Sequence, residues 1–61
     1  VNANELAHEF HELYEYFAPT FSYKTREASA VPWEDVPHAN KALMTAVCSE
    51  IIHRHNLDDL P

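Results

Sequence analysis

The chain has 61 residues, 10 Asp plus Glu against 4 Lys plus Arg, a net charge of −6 and a hydrophobic fraction of 46%. A single domain this small hides only about 60% of the surface its unfolded chain exposes, so a lone core is marginal, yet the apolar content favours folding over disorder. The one Cys rules out an intramolecular disulfide, and the absence of Gly rules out glycine-rich phosphate loops and the dinucleotide fingerprint. Apolar runs are short, which predicts neither a transmembrane helix nor a signal peptide. No nucleophile–base pairing stands out, which predicts a protein that is not an enzyme and uses no cofactor.

Asn2 to Phe17 reads as an amphipathic helix. Ala3, Leu6, Ala7, Phe10, Leu13, Tyr14 and Phe17 fall on one stripe at about 100° per residue. Glu5, His8, Glu9, Glu12 and Glu15 fall on the other face, with Tyr16 on that polar side. Asn2 with Glu5 three residues on has the form of a capping box, with Asn replacing Ser or Thr. Pro19 predicts a helix end one or two residues before it.

Residues 18–37 form a connector that is long for a compact domain. Phe21, Tyr23, Val31, Trp33 and Val36 are costly to leave in water, so the expectation is an ordered, Ω-like aromatic loop across the helices. Phe21 or Tyr23, together with Trp33, are its expected pegs. Val31-Pro32-Trp33-Glu34-Asp35-Val36-Pro37 reads as a turn into a second helix, with Asp35 as its cap.

The second helix is expected from about Pro37 to His55, Pro being accepted in a first turn. Its predicted core stripe is Val36, Asn40, Leu43, Met44, Val47, Ile51 and the stem of Arg54. Ile52 lies outside that stripe, near Lys41, Thr45 and Cys48, and has two readings: a scattered surface residue, or part of a second apolar seam that joins two copies in a homodimer. Asn56 suits a left-handed helix cap, and Leu57 and Leu60 a tail folded back. The fold class predicted is all-α, an antiparallel helix pair bridged by a long aromatic loop.

Few residues invite chemistry. His8 with Glu12, or His11 with Glu15, gives a two-ligand rung for a metal, but the string His8-Glu9-Phe10-His11-Glu12 lacks the H-E-x-x-H signature. Solvated pairing of His8 with Glu12, and a dipole-favoured last turn at His53, Arg54 and His55, are the simpler readings. Cys48 borders an apolar stripe and reads as a structural thiol. A lone thiol also suits a reducing, intracellular compartment.

Glu5, Glu9, Glu12 and Glu15 run along one sector with no basic residue before Lys24, which disfavours direct nucleic-acid binding, since neutralising phosphates needs Lys and Arg. That sector is either a solvated face or a docking surface for a basic, nucleic-acid-binding host protein. Tyr23, Lys24, Arg26 and Trp33 pair two cations with two aromatics. They read either as loop pegs with local ion pairs or as a site for a nucleotide-like anion.

The order of these signals resembles a family. His11-Glu12-Leu13-Tyr14 is similar to the His-Glu-x-Trp stretch of ryanodine-receptor repeat domains, and Phe21-Ser22-Tyr23 resembles their Trp-x-Tyr. Val31 to Pro37, with Asn40-Lys41 after it, resembles their Val-Pro-Tyr-x-x-Leu-Pro followed by Glu-Lys. Short bacteriophage and prophage proteins carry a similar His-Glu-x-x-Tyr helix and Pro-x-Trp-x-x-Leu-Pro turn. The resemblance spans about residues 6–47; the loop is shorter than in the receptor repeats and lacks their glycine before the Tyr. It implies a helical accessory module in the cytoplasm of an infected or lysogenic bacterium, binding a host protein rather than catalysing a reaction.

Overall fold

The computed structural model describes residues 2–55. Asn56, Leu57 and Leu60 lie outside that range. The first helix, α1 (Ala3–Phe17), starts where the sequence places its cap. Asn2 is extended, its Oδ1 accepts the Glu5 N–H at 2.8 Å, and its Nδ2 donates to Glu5 Oε1 at 2.6 Å. The reciprocal half of the box thus runs through the Asn side-chain amide, a donor that Ser or Thr cannot offer in this form.

At Phe17 the chain tightens into a 3-10 turn, Ala18–Phe21, with Pro19 at its start. Ser22 closes it in the left-handed region (φ 56°, ψ 33°), where its N–H reaches the carbonyls of Ala18 and Pro19. The connector then turns over Arg26–Ala30, with the Ser29 and Ala30 N–H groups on the Arg26 carbonyl at 2.9 Å. A second 3-10 turn, Trp33–Asp35, leads to α2 (His38–His55). The Pro37 carbonyl accepts the Lys41 N–H, so Pro37 and not Asp35 stands at the helix entrance.

The helices are antiparallel. Ala3 and Asn4 lie beside Thr45 and Ser49, and His11 and Tyr14 lie beside Asn40 and Met44. Side-chain links hold the connector to them: His11 Nε2 donates to the Val31 carbonyl at 2.7 Å, Thr25 Oγ1 to Glu15 at 2.8 Å, and Asn40 Nδ2 to Ser29 Oγ at 2.9 Å. Among the described residues the structure is all-α, as the periodicity predicts.

The contact faces differ from the predicted stripes. The α1 residues that bury are Ala7 and His11, joined by Ala18 after the helix; on α2 they are Cys48 and Ile52, and Val36 buries ahead of it. Ile52, at 7% exposure, belongs to the intramolecular seam and is neither a surface residue nor free to join two copies. Leu43, Val47 and Ile51 of the predicted α2 core stripe are instead exposed. The cause lies in size. Ala7 lets the helix axes approach closely, and the bulky side chains of both helices then project to one side of the seam. Phe21 and Tyr23, expected as pegs, are exposed at 76% and 58%. The resulting body measures 34 × 25 × 15 Å, so its thin dimension is little more than one helix of about 10–12 Å.

Candidate interaction surface

Trp33 is half-buried, and the connector holds it against α1 and α2. Its indole stacks on His8 at 5.4 Å and 9°, tilts against His11 at 5.7 Å, and has Lys41 Nζ 5.6 Å above the ring. Lys41 Nζ also donates to the Glu34 carbonyl at 3.2 Å. These contacts use both first-helix histidines. His8 additionally lies 3.5 Å from Glu12, and among the described residues no three His, Cys, Asp or Glu side chains converge to hold a metal ion.

Tyr23, the other aromatic of the predicted ligand set, lies elsewhere. It meets Tyr14 edge-on at 6.1 Å, and with Arg26 it lines an open cavity of about 250 Å³ beside Thr25 and Met44. Lys24 borders a separate hollow with Tyr23, Thr25 and Glu27. Trp33 lines other depressions, one with His11 and Glu15 and one with His38 and Lys41. The structure therefore places Tyr23, Lys24 and Arg26 near one another and Trp33 against a different part of the helix pair. Hydrogen bonding to the Tyr23 phenol, with desolvation behind it, raises the Tyr14 phenol above its ordinary 10.0.

The four glutamates have unequal duties. Glu5 is spent on the helix cap and Glu15 is half-buried on Thr25, whereas Glu9 and Glu12 face solvent. Cys48 is buried, and burial pushes its thiol above the ordinary 9.0, which removes the thiolate that reactivity needs.

One surface absent from the sequence-based reading stands out. Phe10, Leu13, Tyr14, Phe17, Phe21 and Tyr23, with Ala18 at the base, line an open cup of about 380 Å³ whose walls are almost wholly apolar. Phe10 and Tyr14 stack at 5.6 Å along its rim. Ile51 and Val47 continue the apolar surface on α2: in an antiparallel pair sharing the Ala7–Cys48 seam, helical period puts them on the same side as Phe10 and Phe17, with Arg54 and then Leu43 further round toward the outer side. The signal was available in the sequence as the α1 stripe itself, which the periodicity assigned to the core. No helix among the described residues is long and apolar enough to cross a membrane. No protein-family model, curated protein or solved structure matches the chain.

Proposed function

We propose that the chain is a non-enzymatic interaction module that binds another protein through its aromatic cup and the apolar strip beside it. The observation that carries this reading is that nine of the ten large apolar side chains exposed among the described residues, from 42% at Ile51 to 76% at Phe21, lie in or beside the cup, Tyr16 alone being on the polar side. Single exposed apolar residues are ordinary, but a contiguous patch rimmed by polar groups marks an interaction site. Aromatic side chains are the usual anchors of such sites, since each presents a large area for few rotatable bonds. The resemblance to phage accessory proteins agrees with a cytoplasmic, host-directed role.

The acidic face supports a second reading, because Glu9 and Glu12 are exposed and the first helix carries no Lys or Arg, only His8 beside Glu12. The two readings respond differently to substitution. Immobilised chain is exposed to bacterial lysate as wild type, as Phe21→Glu and as the double variant Glu9→Lys with Glu12→Lys. Loss of the captured protein with Phe21→Glu alone supports the cup. Loss with the double variant alone, together with weakening at higher salt, transfers the role to the acidic helix. A stabilising response to nucleotides in a thermal-shift screen, abolished by Arg26→Ala, would favour the small-anion reading instead.

A further inference from the structure

We propose that the apolar face is covered by a second copy of the same chain, so that two thin helix pairs stack into a symmetric four-helix assembly. The inference rests on the reading of that face as a protein-binding surface and names its occupant.

Area supports it first. The chain exposes 4971 Å², whereas a compact monomer of 7.0 kDa exposes about 4000 Å². The surplus, about 900 Å², is close to the roughly 800 Å² that each partner contributes to a standard stable interface. The core points the same way: its buried apolar members are Ala7, Ala18, Val36, Cys48 and Ile52, and no large side chain among the described residues is fully buried. Chains this small commonly complete such a core by association.

Charge supports it next. A chain of net charge −6 repels its own copy unless the carboxylates stay apart. Helical period sets Glu5, Glu12 and Glu15 about 140° or more around α1 from Phe10, on the connector side or the outer side, and Glu9 about 100° from it on the outer side. Arg54 falls between Leu43 and Val47 on the same helical arc but carries its own counter-charge, its Nε 3.0 Å from Glu50, so two copies meeting through Phe10, Phe17, Leu43, Val47 and Ile51 bring together apolar side chains and an internally neutral ion pair. An apolar face whose charges are paired within the chain can meet its own copy, which is what a two-fold interface requires.

Sedimentation equilibrium from micromolar to millimolar chain tests the proposal, with melting followed over the same range. The wild type should approach twice 7.0 kDa, its melting temperature should rise with concentration, and added salt should tighten the association. Val47→Glu and Leu43→Glu change residues exposed at 51% and 64%, outside the intramolecular seam. Each should return the mass to that of one chain while circular dichroism still reports helix. A wild type that stays at one chain mass throughout, or that forms assemblies larger than two, overturns the two-copy proposal. Binding of an apolar fluorescent dye separates the two ideas in that event. A monomer whose dye binding is lost in Phe17→Glu keeps the interaction surface and loses only the second copy; a monomer that binds no dye loses both.

Discussion

Trp33 is the residue on which most of the connector's packing converges. Its indole meets two imidazoles and the Lys41 ammonium, and Lys41 in turn holds the Glu34 carbonyl. Full burial is not reached, so Trp33→Ala should cost about 2 kcal/mol rather than the 3–5 kcal/mol of a core Trp. Urea unfolding followed by circular dichroism gives the number, since the variant loses the chain's one Trp. Ser22 is a second informative residue. It occupies a left-handed conformation in which a Cβ costs about 1–2 kcal/mol, in a chain with no Gly to place there. Ser22→Gly should raise stability by up to about 1 kcal/mol, offset in part by the looser unfolded chain, and Ser22→Val should lower it. A shift of the urea midpoint in the opposite order would remove strain at Ser22 as the explanation.

At the scale of elements, the sequence located both helices within a residue or two, because their limits rest on local chemistry. Asn2 and Glu5 form the first cap through their own side chains, and Pro19 and Pro37 stand where a helix cannot simply continue. Which face packs inward was not legible in the same way. A stripe records where apolar side chains gather along a helix and not which arc meets the other helix; on α1 the bulky stripe and the contact face are different arcs, with the small Ala7 at their border. On α2 apolar residues lie on several sides, so Leu43, Val47 and Ile51 were assigned to the core while Cys48 and Ile52 occupy it. Cys48 gives that seam a pH signature. Its thiol is raised above 9.0 by burial, so the folded chain holds the proton more tightly than the unfolded chain. The stability tied to that proton is complete below the unfolded value and is lost as pH rises through the folded value. The melting temperature should therefore fall above about pH 9, with Tyr14 acting in the same direction above 10.0. Cys48→Val should flatten the first part of that fall, and in native wild type the thiol should react with a disulfide reagent far more slowly than after unfolding.

For the whole molecule, the thin dimension of 15 Å governs behaviour. A radius of gyration of 12.5 Å exceeds the roughly 10.5 Å of a compact domain of this length, because helices laid side by side with a connector on one flank cannot enclose a centre. The candidate ligand set shows the same effect. Tyr23 and Trp33 are ten residues apart in a single loop, yet one rests on Tyr14 and the other on His8 and His11. Composition brought the four residues into one hypothesis; the path of the connector along the helix pair distributes them.

The link from His11 to Val31 has a consequence at the level of a single proton. A carbonyl oxygen only accepts, so Nε2 must carry hydrogen for this 2.7 Å contact to exist. The neutral ring is thereby fixed in its Nε2–H tautomer, and an imidazolium would keep the same donor. Nitrogen-15 shifts of the His11 ring should report a protonated Nε2. The alternative Nδ1–H form would put a lone pair against the carbonyl and break this link, so one of the connector's attachments to α1, made twenty positions away, depends on which ring nitrogen of His11 carries the proton.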